Sequence, residues 1–417
     1  MTQEEIQKNA VQALINNNGG TLFLETGSGK SKIVIDYLMK ISKPYETVLI
    51  TVPLSKLIRN WEDEFVKWTD CSVDFKNDIV TVVIPNGYIS VTITTIQTAF
   101  KWTERYFQYL VLDEVHTQLS CEYSAILTNL QYNTVIGLTA TLDNLRREDK
   151  QLLYDKHVPV VFEYHSGEAD GVVNKTKLII VEHQLDDIFR IKVGKKPKQW
   201  LVGEKTQYEY LSKMIRQGQL AMALAGSDDY FSDASEWFWR KRGTKEQLLA
   251  GQKYLMSITN RRKFLLSLQS TAEITKRLAK QIVLENDYNK VLIFSEQVEQ
   301  LKKICKFNVF GEQDKQLNDE ILTAFNEGSI RALGSVYQLT LGMNLKNVNS
   351  AIVESYQGSD VKITQRIGRL HRLETDKTAT IYILKVLGTQ SEQWFNSMMV
   401  DYNLTEAEVI NSSEILK

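Results

Sequence analysis

The chain has 417 residues, 43% hydrophobic and 24% charged, which gives room for two or three domains and lies outside the disordered range. Fifty Lys and Arg against 51 Asp and Glu leave a net charge of −1, which excludes a molecule basic throughout but not a local basic groove. No apolar run approaches the ~20 residues of a membrane span, and Cys71, Cys121 and Cys305 form no CxxC pair, so the expectation is a soluble cytoplasmic protein with reduced thiols.

Residues 1–17 read as a helix with Ile6, Ala10, Ala13 and Leu14 on one face. Gln7 lies on it; its amide can both donate to and accept from an adenine edge, although on its own a glutamine here reads first as an ordinary surface residue. Thr21 to Leu24 then reads as a short buried strand, Glu25 to Gly29 as a turn, and Ile33, Val34, Tyr37 and Leu38 recur at helical spacing. Strand, glycine loop and helix is the setting of a phosphate-binding loop. In TGSGKS, Thr26, Gly27, Ser28 and Gly29 offer backbone N–H groups, Lys30 reaches β- and γ-phosphates, and the Ser31 hydroxyl can ligand Mg2+. The pattern departs from G-x-x-x-x-G-K-[ST], because Leu24 stands where the first glycine belongs.

Thr47 to Val52 is a second β-branched run, and Leu57, Trp61, Phe65 and Trp68 form one helical stripe after Pro53, read as core. Val80–Ile84 and Val91–Thr95 are strands separated by the Pro85-Asn86-Gly87 turn. Thr94, Thr95 and Gln97 fall just past a strand end, where a parallel sheet presents ligand-facing loops. In YLVLDEVH, Tyr109 to His116, an apolar strand delivers two adjacent carboxylates. Beside a phosphate loop, Asp113 can hold Mg2+ and Glu114 can deprotonate the attacking water; standing alone, the same pair is often a helix cap. Val135 to Leu138 is a further strand, ending in a Thr139-Ala140-Thr141 turn.

Residues 174–185 read as a strand that begins a second α/β unit. Residues 195–280 differ: long helical patterns, few β runs, and the basic clusters Lys195-Lys196-Pro197-Lys198, Arg240-Lys241-Arg242 and Arg261-Arg262-Lys263. EWFWRKRG, Glu236 to Gly243, is either an amphipathic helix with buried tryptophans or a nucleic-acid contact; the pattern fits both. From Lys290 onward β-branched runs alternate with helices, without a second phosphate loop. In QRIGRLHR, Gln365, Gly368, Arg369 and Arg372 share one helical stripe, so both arginines can point the same way and fork onto γ-phosphate oxygens.

TGSGKS, DEVH and TAT, in this order, resemble motifs I to III of the superfamily 2 helicases and translocases. KVLIFSEQ, LTLGMNLKNVNSAIV and QRIGRLHR resemble motifs IV to VI. VPLSKLIRNWEDEFVKW and LGMNL are similar to the Swi/Snf-type translocases, and QRIGRLHR to small phage branch-migrating helicases. The resemblance implies an α/β fold of two RecA-like parallel-sheet lobes with a helical insertion in the second. The expected divisions are 1–173 for the first lobe, 174–194 and 286–390 for the second, 195–285 for the insertion, and 391–417 for a helical tail docked by Trp394 and Phe395.

It further implies ATP with Mg2+, a nucleotide site between the lobes, Gly342, Asn344 and Gln365 beside the nucleotide, and Arg369 and Arg372 as catalytic arginines. Thr94, Thr95, Arg240, Lys241 and Arg242 are the expected nucleic-acid contacts. The expected partner is single-stranded, double-stranded or branched DNA, with RNA left open, no membrane, and a monomeric chain. Three outputs stay open: unwinding, double-strand translocation without strand separation, and nucleotide-gated binding.

Overall fold

The structure, a computed structural model, describes residues 1–25, 27–118, 123–140, 155–164, 176–194, 198–336, 345–356, 379–399 and 407–416. They fall into two compact units, one built mainly on Met1–Lys177 and the other on Leu178–Val336 and Ile381–Lys417.

The first unit opens with α1 (Gln3–Asn17), started by a reciprocal cap: the Glu5 amide donates to the Thr2 hydroxyl and the Thr2 amide to the Glu5 carboxylate. β1 (Gly20–Leu24) leads through the glycine loop into α2 (Lys30–Ile41), then β2 (Thr47–Val52) and α3 (Lys56–Trp68). β3 (Cys71–Asp74), β4 (Ile79–Ile84) and β5 (Gly87–Thr95) follow as antiparallel neighbours, Asn86 turning the chain at a φ of 68°. α4 (Ile96–Ala99), β6 (Tyr106–Asp113), α5 (Val115–Gln118), α6 (Ile126–Asn129), β7 (Gln131–Thr139) and β8 (Val160–Tyr164) complete it.

The sheet order is β3-β4-β5-β2-β6-β7-β1-β8, parallel from β5 through β8. Side-chain alternation splits its residues between two cores. Val48, Ile50, Val52, Val111 and Ile136 pack with α1, α2 and α3, whereas Leu49, Leu110, Leu112 and Val135 pack with α4 and α6. Both faces are covered, as a parallel sheet of such apolar strands requires. The loops after β1, β2, β5, β6 and β7 therefore gather at one edge.

The second unit starts with β9 (Thr176–Gln184) and a hairpin of β10 (Arg190–Val193) and β11 (Trp200–Gly203). Four helices follow: α7 (Glu204–Leu224), α8 (Tyr230–Trp239), α9 (Lys245–Leu265) and α10 (Gln269–Glu285). β12 (Val291–Ser295), α11 (Val298–Ile304), β13 (Asn308–Val309), α12 (Lys315–Glu327), β14 (Ala332–Val336), β15 (Ser350–Val353), β16 (Ala379–Leu387), α13 (Gln390–Met398), β17 (Glu408–Asn411) and α14 (Ser412–Leu416) build the rest. The sheet order is β13-β14-β12-β15-β16-β9-β17. None of the described helices is long and apolar enough to cross a membrane.

Two sequence expectations need correction here. The helical insertion is narrower than residues 195–285. α7, α8 and α9 share their own core of Ile215, Met222, Ala234, Trp237, Ala250, Tyr254 and Leu255. α10 instead buries Ile274, Leu278 and Ile282 against β12, so it is a helix of the α/β unit, and β11 is a strand within the stretch read as helical. Glu204 joins the two parts: its carboxylate accepts from the Gln269 amide at 2.6 Å, satisfying the open first turn of α10 from the first residue of α7. The tail 391–417 is not purely helical either. Phe395 is buried as expected, but β17 pairs in parallel with β9, so the tail completes the sheet edge. Only Val409 and Ile410 carry β preference in that strand, too short a run to stand out against helical neighbours.

Candidate active site

The phosphate loop is built by its glycines. Gly27 and Gly29 hold φ values of 96° and 88°, a region that L side chains avoid, and Gly29 ends the loop as the N-cap of α2 without a side-chain cap. No acidic residue occupies the first turn of α2, so its open N–H groups face an anion site without competition. Ser28 Oγ donates to the Glu25 carbonyl at 2.7 Å, which folds the turn. Lys30 Nζ donates to the Leu24 and Glu25 carbonyls at 3.0 and 3.3 Å, lying across the loop. Gln7 leans over from α1: its Nε2 donates to the Ser28 carbonyl at 3.3 Å, and a Cβ on Gly29 would sit 2.4 Å from that nitrogen.

Two strands from β1, Asp113 closes β6 on the same sheet edge. Its Oδ2 accepts from the Trp61 indole N–H at 2.9 Å. Loss of water around the carboxyl, and then the neighbouring Glu114, push Asp113 up to about 6, while Lys30 pulls the other way. A carboxyl under that strain is relieved by a cation. Glu114 follows in left-handed backbone, φ 52°, a costly conformation for a non-glycine residue, and its Oε2 is buried without a hydrogen-bond donor. His116, also buried, shares a 2.8 Å hydrogen bond between Nδ1 and Thr139 Oγ1 at the end of β7, with Glu114 Oε2 3.6 Å from the same nitrogen. One chain of contacts thus joins DEVH to Thr139 of TAT.

These residues fit Mg2+. Ser31 and Asp113 are hard oxygen donors at the rim of the loop, and Glu114 has an unsatisfied oxygen.

Two family models match the chain. One described as "Type III restriction enzyme, res subunit" covers residues 1–144, and one described as "Helicase conserved C-terminal domain" covers residues 273–374. The DNA 3'-5' translocase XPB2 of Sulfurisphaera tokodaii is 25% identical over 400 residues, spanning 92% of this chain and 82% of that protein. Among solved structures, the Pyrococcus furiosus Hef helicase domain aligns with a TM-score of 0.55 at 16% identity, covering 95% of this chain and 97% of that one. S. cerevisiae Dbp5 bound to RNA and ADP BeF3 aligns at 0.57 and 12%, covering 99% and 93%. The chain is a superfamily 2 helicase/translocase with two RecA-like lobes.

In this superfamily 2 chain the remaining expected residues are distributed unevenly. Thr94 and Thr95 end β5 on the same sheet edge, in register with Thr51 and Val52. At ~4.8 Å per strand they stand about 20 Å from the phosphate loop, a separate position on that edge. Arg240, Lys241 and Arg242 are exposed in the turn after α8; Arg242 reaches Glu236 at 3.6 Å. Trp237 packs in the helical core, whereas Trp239 is 71% exposed, so EWFWRKRG divides between both of its readings. Thr26, Thr141, Gly342, Asn344, Gln365, Arg369 and Arg372 lie outside the described residues.

Two supporting residues escaped the sequence reading. Trp61 is core by burial, but its N–H serves Asp113. Gln118 is fully buried: Nε2 donates to the Thr51 and Asp113 carbonyls, and Oε1 accepts from Thr51 Oγ1 at 2.6 Å, fastening the ends of β2 and β6 together. Its signal was a glutamine two residues after DEVH, on a helix too short to show a face.

Proposed function

We propose that this ATP-dependent DNA helicase/translocase hydrolyses ATP at the edge formed by β1, β6 and β7 and uses the cycle to move along DNA. The observation that carries the reading is the joint placement of an anion-receptive loop and a strained acidic pair on one sheet edge. Lys30 leaves the loop carbonyls for the β- and γ-phosphates, and the Gly27–Lys30 amides hold the β-phosphate. Bound Mg2+ supplies neutralisation of phosphate charge, with Ser31 and Asp113 as its protein ligands. Glu114, whose Oε2 lacks a donor, orients and deprotonates the attacking water. Arg369 and Arg372 stabilise charge on the γ-phosphate, with Gly342, Asn344 and Gln365 beside it, and Gln7 reads the adenine edge. His116 passes the state of Glu114 to Thr139.

Thr94, Thr95 and the Arg240–Arg242 turn are the proposed DNA contacts, and the proposed setting is the cytoplasm. The relative named as a DNA 3'-5' translocase supports movement with that polarity. The test measures hydrolysis with single-stranded, double-stranded, forked and four-way DNA, with RNA alongside, and displacement of a triplex strand against unwinding of a fork. Glu114→Gln is expected to keep ATP binding and nearly abolish turnover, while Lys30→Ala weakens both. Near-normal turnover in Glu114→Gln removes that residue from the role of base.

A further inference from the structure

The hairpin of β10 and β11 has no part in the reading above, yet its chemistry is one-sided. From Arg190 to Gly203 the sequence holds Arg190, Lys192, Lys195, Lys196 and Lys198 and no Asp or Glu, in a chain of net charge −1. Arg190, Lys192 and Lys198 are exposed, and no carboxylate among the described residues pairs with them. The register sets Lys192 opposite Leu201 and Val193 opposite Trp200. Arg190, Lys192 and Leu201 therefore share one face, and Ile191, Val193, Trp200 and Val202 the other. Ile191 roots that second face in the core of Leu185, Leu211 and Phe264, but Trp200, at the far end, is 59% exposed and Leu201 58%.

The Trp200 ring is also held in place. Gly194 takes a φ of 94°, and a Cβ there would lie 2.7 Å from Trp200 Cζ3, so the ring rests on bare backbone at the strand end. An open indole on one face of a ribbon, with exposed cations on the other that pair with no carboxylate among the described residues, suits a ligand that offers both negative charge and flat apolar faces.

We propose that this hairpin binds single-stranded DNA, with Trp200 stacked on a base at one face of the ribbon and Lys198, Lys192 and Arg190 taking phosphates as the strand passes over the ribbon to the opposite face. A duplex hides its base faces, so the single strand is the form recognised. The assignment rests on the DNA reading given above and adds a contact site to it. It makes the second unit a holder of the displaced or tracked strand.

The test uses the full chain, a fluorescent oligothymidylate and a duplex of equal length. Stacking on one aromatic is worth ~1–3 kcal/mol per base, so Trp200→Ala is expected to weaken oligothymidylate binding roughly 5- to 150-fold, with a much smaller effect on the duplex. Trp200→Phe retains a stacking face and is expected to recover most of the loss. Changing Lys192 and Lys198 together to Ala is expected to flatten the logarithmic salt dependence by about 1.4 units, at ~0.7 per phosphate contact on a single strand. Melting temperature and DNA-free ATP hydrolysis should stay as in the unaltered chain. If the unaltered chain binds and moves on DNA while both variants bind oligothymidylate with unchanged affinity and salt slope, the hairpin assignment is overturned and the DNA reading stands. If the unaltered chain binds no nucleic acid, both fall.

Discussion

At the scale of single residues, the candidate site combines groups with opposite needs. Asp113, the proposed metal ligand, has to stay ionised for that role in surroundings that push its carboxyl up to about 6. The Trp61 indole N–H, 2.9 Å from Oδ2, counters that pressure. Partners of a metal ligand commonly govern metal affinity 10- to 100-fold. Trp61→Phe keeps an aromatic in the core and deletes the donor. The expected outcome is a roughly 10-fold rise in the Mg2+ concentration giving half-maximal hydrolysis at saturating ATP, with weaker Mg2+-dependent nucleotide binding by calorimetry. A Mg2+ response identical to the unaltered chain would restrict Trp61 to packing. The carboxylate pair was legible in the sequence because it ends an apolar strand; the tryptophan's service was not. Periodicity reports that Trp61 is buried, and only the crossing of α3 over β6 decides what its nitrogen meets.

At the scale of elements, the α/β character of both lobes was legible, since β-branched runs of five or six residues alternate with helical stripes. The limits of the helical insertion were not. α9 and α10 have similar lengths and similarly mixed surfaces, yet α9 packs with α7 and α8 while α10 packs on β12. Which core an apolar stripe enters is set by turn direction: α9 ends at Leu265, and Leu268, fully buried, restarts the chain as the N-cap of α10. Within the insertion the tight contact of α7 with α9 depends on Gly218, where a Cβ would lie 2.9 Å from Tyr254 Cα. The tryptophan pair of EWFWRKRG gives a direct test of this division. Trp237→Ala is expected to destabilise the chain by ~3–5 kcal/mol, the range for a large aromatic lost from a core, whereas Trp239→Ala should leave the melting temperature unchanged. Chemical denaturation of the two variants decides it. Equal losses would mean that Trp239 is also part of the core. DNA affinity is expected to fall in Trp239→Ala if the exposed ring and the adjacent Arg240, Lys241 and Arg242 contact the polynucleotide together.

At the scale of the whole molecule, the chain carries two RecA-like lobes but only one phosphate loop in its sequence. In the proposed reading a lobe without its own loop would affect hydrolysis by lending charge to the nucleotide, and QRIGRLHR is the stretch whose sequence suits that service. Arg369 and Arg372 stand three residues apart in the sequence, remain charged at any working pH, and can fork onto two oxygens where lysine offers a single ammonium. Such a contribution matters most when charge builds in the transition state, so it acts on turnover rather than on ground-state affinity. Replacing Arg369 or Arg372 with Ala is therefore expected to lower turnover by roughly 10³- to 10⁵-fold, the range for arginines that stabilise phosphoryl transfer. Nucleotide affinity should change far less, and Lys should fail to restore activity. Single-turnover hydrolysis and equilibrium nucleotide binding, measured on the same preparations, separate the two quantities. A variant that binds ATP poorly but turns over normally at saturation would move that arginine to ground-state binding. Movement along DNA would then need another residue to carry the nucleotide's state into the second lobe.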